Sequence, residues 1–270
     1  MPSLNEDIVN DVVNRAGSLD PVPGVRTVAI SLGYTFVELD NGAFGVCFTP
    51  RSTSGSCAHY AKAGTLSTRP ATELARLMLS GIPLEKSVGV AAVNALSRTI
   101  MDLEPEAYKD PGPDILDLLP FNGEKLKTGM VGHIGPFITN LVKRSSSLVI
   151  VDDNEGLLPG FMQSGYTVSR DVKDLADVDI LLITGSSAAV GDFDEVLSAA
   201  KKARFIGVVG PSAGWLPDAA FRRGVHAVAS MKIMDTASVR RAILEGGGTP
   251  HFSACCQKYT ILNRKPGETV

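Results

Sequence analysis

A chain of 270 residues with 26 basic and 29 acidic side chains, a net charge of -3 and a mean hydropathy of +0.13 has the composition of an ordinary globular protein, long enough for two modest domains that each bury a core. No run of clustered Lys and Arg offers the phosphate contacts of a nucleic-acid surface, and no window approaches the roughly 18 uninterrupted apolar residues of a membrane span. The four cysteines read as thiols or ligands in a reducing compartment, not as a disulfide framework.

Residues 4–16 set Asn5, Asp7, Asn10 and Asp11 between apolar positions. That is an amphipathic helix and not the basic, apolar, small-residue order of a signal peptide, so cytoplasmic residence is expected. Three apolar runs follow, at 25–32, 34–39 and 43–49, and read as an antiparallel meander. Between the last two, Asp40-Asn41-Gly42 has the chemistry of a two-residue hairpin turn. Helices over 71–79 and 84–101 complete a first half of α+β type. Residues 104–125 are rich in Pro, Gly and Asp and mark a junction, which divides the chain into a small α+β domain at 1–110 and an α/β domain at 111–270.

After the junction, apolar runs at 128–131, 148–151, 180–183, 205–209 and 226–229 alternate with helical patterns, as in a parallel sheet with right-handed crossovers. Each of the first four ends in a polar or glycine-rich turn: Gly132-His133, Asp152-Asp153-Asn154, Thr184-Gly185-Ser186-Ser187 and Gly210-Pro211-Ser212. Ligands of open α/β sheets bind outside the carboxyl ends of the strands, so these turns are expected to converge on one crevice. A helix over 238–244, capped by Asp235 or Thr236, stops at Gly246-Gly247-Gly248, and the tail around Cys255 to Ile261 adds a final strand.

The stretch 127–154 carries most of the functional signal. A short strand ends at Gly132, Gly135 and Pro136 open a helix whose unpaired N–H groups favour anions, and the next strand delivers Asp152 twenty positions after Gly132. A ribose-binding carboxylate sits at about that distance in dinucleotide-binding folds. The glycines run Gly129, Gly132, Gly135, however, a G-x-x-G-x-x-G spacing that lacks the glycine needed for close pyrophosphate approach. This favours a Rossmann-like scaffold for some other ligand over a true NAD or FAD site, and glycines that only make a tight strand-to-helix turn stay open as an alternative.

Gly210-Pro211-Ser212, Gly224-Val225, Asp235, Glu245-Gly246-Gly247-Gly248 and Lys258, together with Tyr34-Thr35, Gly64 and Gly89-Val90-Ala91-Ala92-Val93-Asn94-Ala95 in the first half, resemble the family of putative heavy-metal chelation proteins over nearly the whole chain. The resemblance implies a small domain similar to the N-terminal domain of enolase, then a Rossmann-like parallel-sheet domain, with a metal or metal-ligand crevice between them. Enolase chemistry is not implied, because the enolase barrel is absent. His133 and Ala213-Gly214-Trp215 depart from the family pattern.

Soft and borderline metals take thiolates and imidazoles, and the chain has four of each. Cys57 and His59, in a Ser/Gly-rich loop, with His133 in the glycine turn, are the candidate ligands of a divalent transition metal. The candidates for an organic cofactor, a nucleotide or S-adenosylmethionine, are Gly132, His133, Gly135, Asp152, Thr184, Ser186, Gly210 and Ser212. Cys47, inside an alternating strand, reads as core. Adjacent side chains on a strand point to opposite faces, which would part Cys255 from Cys256. Tyr34, Glu38, Thr49 and Asn94 are candidates to face the second domain, and Lys258 to reach the crevice. No G-x-S-x-G motif occurs, so serine-hydrolase chemistry is not expected. A small molecule or metal is the expected partner, and homo-oligomerisation stays open.

Overall fold

The computed structural model describes residues 2–50, 59–154, 156–157, 162–163 and 165–263. Helix α1 (Leu4–Gly17) starts at a capping box in which the Ser3 hydroxyl accepts from the Glu6 N–H and the Glu6 carboxylate accepts from the Ser3 N–H. The meander forms as expected, with β1 (Val25–Ile30), β2 (Tyr34–Leu39) and β3 (Phe44–Phe48) antiparallel in that order. Its second corner is longer than a two-residue turn. Gly42 alone takes a positive φ, +86°, and the Asn41 side chain accepts from the Ala43 N–H at 3.0 Å, so four residues make the reversal.

Helix α3 (Pro83–Leu103) covers one face of this sheet, and α2 (Ala71–Arg76) packs on α3. Glycines set how closely they lie. A Cβ on Gly45 of β3 would stand 2.0 Å from the Ala91 carbonyl of α3, and one on Gly89 would stand 1.9 Å from the Met78 nitrogen. The Gly89-to-Ala95 run is therefore small-residued because backbones meet there.

The second half is an eight-stranded sheet in the order β11-β10-β9-β8-β4-β5-β7-β6. Its strands are β4 (Lys127–Val131), β5 (Ser147–Val151), β6 (Met162–Gln163), β7 (Tyr166–Ser169), β8 (Ile180–Thr184), β9 (Phe205–Val209), β10 (Ala227–Ile233) and β11 (Cys256–Leu262). β10, β9, β8, β4, β5 and β7 are mutually parallel, while β6 and β11 pair antiparallel at the edges. Numbered along the chain, the six parallel strands run 3-2-1-4-5-6, the doubly wound order, with its switch point between β4 and β8. The β6–β7 hairpin lies where no strand is expected from the sequence. The helices of this half are α4 (Gly135–Arg144), α5 (Ser187–Val190), α6 (Phe193–Ala199), α7 (Asp218–Arg222), α8 (Thr236–Leu244) and α9 (Thr249–Phe252). Asp235 caps α8 by accepting from the Ser238 N–H at 3.1 Å.

One buried cluster runs across both halves, joining Leu4, Val37 and Val93 to Leu181, Val208 and Trp215. The chain's first helix contributes to this, because α1 packs on α7 as well as on α3. Among the described residues no helix is long and apolar enough to cross a membrane.

Candidate functional site

The four turns at the carboxyl ends of the parallel strands differ in what packs on them. Those after β4 and β5 lie side by side, and the first borders the switch point between β4 and β8. Gly132 takes φ +87° and donates its N–H to the Val151 carbonyl at 2.9 Å; a Cβ there would stand 2.6 Å from Thr184 Cγ2. The Asp152 carboxylate accepts from the backbone N–H groups of His133 and Asn154, both at 2.7 Å. His133 is exposed, with Nε2 3.3 Å from the Tyr166 hydroxyl. Gly135 begins α4 with nothing within 4 Å of a Cβ position.

The turns after β8 and β9 are roofed by the first half. Thr184 Oγ1 lies 3.0 Å from Ser186 Oγ, and a Cβ on Gly185 would stand 2.4 Å from the Ala213 nitrogen. Gly210 has φ +111°, and the buried Ser212 accepts from the Phe48 N–H at 3.0 Å while its carbonyl accepts from Asn94 Nδ2 at 3.1 Å. Backbone amides that could hold an anion at the β9 turn are thus packed against β3 and α3. The first half thus covers the β9 turn, where Phe48 and Asn94 bind Ser212.

The first-half candidates do face the second half, as adhesive contacts. The Tyr34 hydroxyl lies 2.7 Å from Thr249 Oγ1, and burial raises its pKa. Glu38, 1% exposed, accepts from Arg240 Nε at 3.0 Å and Nη2 at 2.6 Å. Thr49 instead pairs within its own sheet with Thr35, at 3.0 Å. Asn94 binds the carbonyls of both Val46 and Ser212.

Asn94 begins a polar stripe at four-residue spacing along α3: Asn94, Arg98, Asp102. Arg98 lies over the Tyr259 ring, 5.7 Å from its centroid, and pairs with Asp102 at 2.8 Å. Lys232 of β10 pairs with the same Asp102 at 2.7 Å. Where this stripe leaves the seam, Asn41, Phe44, Thr99 and Ile233 join these charged groups around a cleft of about 320 Å³. A cavity of about 10 Å³ beneath it is bordered by Asn94 and Arg98, whose buried Oδ1 and Nε have no partner among the described residues. Sequence reasoning passed over Arg98, Asp102 and Lys232. The four-residue spacing of Asn94, Arg98 and Asp102 on one helix was the available signal.

Of the metal candidates, His133 lies in the exposed turn after β4. Cys57 lies outside the described residues, and His59 is exposed. Among the described residues no three His, Cys, Asp or Glu side chains stand where one ion could be held. Cys47 is fully buried, and desolvation pushes its thiol up to about 12. Lys258 does not reach the cleft; it is exposed and pairs with Asp114 at 3.2 Å.

Two solved structures share this fold. One, of a DUF364-family protein of unknown function from Pyrococcus horikoshii, superposes with a TM-score of 0.76 at 23% identity, covering 94% of this chain and 99% of the other. The second, also of a DUF364-family protein of unknown function, from Desulfitobacterium hafniense, gives 0.73 at 20% identity, covering 96% and 98%. An uncharacterized protein of Methanocaldococcus jannaschii is 27% identical over 180 residues, 66% of each chain. The family model described as putative heavy-metal chelation, DUF364, matches residues 114–262, and a second with the same description, DUF4213, matches residues 19–97. The first match spans more than half of the chain, and the protein belongs to the DUF364 family.

Proposed function

We propose that this protein binds a small anionic or metal-bearing ligand in the cleft between its two halves, a Rossmann-like domain and a domain of the enolase N-terminal kind. The observation that carries the reading is the charge arrangement there. Two cations, Arg98 and Lys232, share one carboxylate, Asp102, so the cleft keeps an excess positive charge beside Asn41 and Thr99. Clefts of some 300–1,000 Å³ with a few convergent polar groups are the usual size for small-molecule sites. The family description supports a metal, yet the cleft lining includes one carboxylate and neither thiol nor imidazole. The ion would therefore arrive on a ligand that supplies most of its donors, with Asp102 adding an oxygen and Arg98 and Lys232 neutralising the ligand's acidic groups.

The test is a thermal-shift screen of chelator-treated protein against divalent metals, organic acids and their metal complexes, since a ligand that prefers the folded state raises its melting temperature. A hit should bind roughly tenfold more weakly to Lys232→Ala, the loss of one charge-assisted contact. Unchanged affinity in that variant and in Asp102→Asn would remove the cleft from consideration.

A second reading places a nucleotide or S-adenosylmethionine at the switch point. It is favoured by the doubly wound strand order, with Gly132 and Asp152 beside each other there. Against it, Asp152 already accepts two backbone N–H bonds. If the reading holds, Asp152→Ala should weaken such a cofactor at least tenfold, whereas Lys232→Ala should leave it unchanged.

A further inference from the structure

Cys255 and Cys256 are not consecutive positions of one strand. Cys255 closes a 3₁₀ turn over residues 253–255 and Cys256 opens β11, so the strand alternation that would separate them does not apply across that peptide. Both side chains are half-buried, both are free thiols, and both pack against one aromatic and aliphatic cluster that includes Phe36, Val239 and Phe252. The segment is held in place from three sides. The Cys255 carbonyl accepts from the N–H groups of Met234 and Asp235 at 2.9 and 3.2 Å, the Cys256 thiol donates to the Phe252 carbonyl at 3.3 Å, and Phe252 packs edge-on against Tyr34 at 5.2 Å.

We infer that Cys255 and Cys256 form a dithiol site for a soft, thiophilic metal ion, separate from the cleft of the proposed function. Two thiolates and an apolar surround suit ions that accept two sulfur ligands, such as Cu(I) or Hg(II), and leave hard cations with nothing to bind. Loading replaces two S–H bonds by two metal–sulfur bonds and releases two protons to solvent, with no change of oxidation state.

The full chain, reduced and stripped of metal, is titrated with Hg(II) in the presence of excess glutathione, and retained mercury is counted together with the thiolate-to-mercury absorbance. Glutathione competes away ions held by a single thiol, whereas a chelating pair gains on the order of 100-fold or more from its second ligand. With Cys57→Ser as the background, one mercury per chain is expected to be retained with release of two protons. It is expected to be lost when either Cys255→Ala or Cys256→Ala is added, while circular dichroism shows the fold intact. Release of mercury by the Cys57→Ser protein itself, or retention in either alanine variant, would overturn the assignment. Should an alanine variant unfold, Cys255→Ser or Cys256→Ser gives the same readout. None of these outcomes depends on Lys232 or Asp102, so they leave the cleft reading separately testable.

Discussion

The buried ion pair between Glu38 and Arg240 ties the two halves together, and its removal has a calculable consequence. Glu38 sits on β2 at 1% exposure and Arg240 on α8, with three N–O contacts of 2.6 to 3.0 Å between them. A second cation, Arg26, approaches Glu38 only to 3.4 Å. Arg240→Met keeps most of the aliphatic stem but strands a buried carboxylate, which costs on the order of 3–5 kcal/mol in general. Arg26 can close in and the Arg240 side chain is already 33% exposed, so the lower end, about 3 kcal/mol, is expected. Glu38→Gln leaves an arginine that reaches water and should cost about 1–2 kcal/mol. The double variant should fall short of the sum by roughly 1–2 kcal/mol, the coupling energy of residues in contact. Urea melts followed by Trp215 fluorescence and by far-UV circular dichroism measure all four proteins, because the single, fully buried tryptophan reports the second half. A loss below about 0.5 kcal/mol for Arg240→Met, the range of a surface change, would refute the reasoning. Strict additivity in the double variant would do so as well.

Three further outcomes are expected. Gly132→Ala should destabilise by about 1–3 kcal/mol because of its positive φ and the nearby Thr184, whereas Gly135→Ala should be neutral or mildly stabilising at the start of α4; equal losses by thermal melting would contradict this. The buried Glu85 accepts from Ser80 at 2.6 Å, Lys62 at 2.9 Å and Tyr60 at 3.1 Å, and the Ser80 hydroxyl followed by Lys62 lowers its pKa below the ordinary 4.5. A depressed folded-state value contributes stability that is complete above the unfolded value and lost as pH falls through the folded one. Glu85→Gln should therefore cost about 1–3 kcal/mol at neutral pH, and the gap to wild type should narrow as pH falls below 4.5; a gap independent of pH in urea melts would be inconsistent with the assigned contacts. Cys47, buried with its thiol near 12, should resist iodoacetamide at pH 8 in the native protein and react on unfolding, as peptide mass spectrometry would show.

The order and type of the long elements are written in local patterns. The β-branched and aromatic residues of β2, the apolar run 180–183 of β8, the glycine that ends β4, the Asp235 cap of α8 and the glycines that follow it are decided by neighbours within a few residues, and each lies within a residue or two of its expected place. What local pattern could not supply is which surfaces meet. Ser212 reads as an anion-nest hydroxyl in sequence and is a buried acceptor for Phe48 in the fold, 164 positions away. Cys255 and Cys256 read as opposed neighbours on a strand, whereas Cys255 ends a 3₁₀ turn and both residues border one apolar cluster. The cleft needs Arg98 and Asp102 from α3 beside Lys232 from β10, 130 positions beyond Asp102. Backbone propensity acts over a turn of helix or a pair of strand residues, while charge pairing and cavity shape depend on where those elements pack. For this protein the long elements follow from sequence alone, and the placement of the cleft is a property of the seam that forms when the two halves close on a common core.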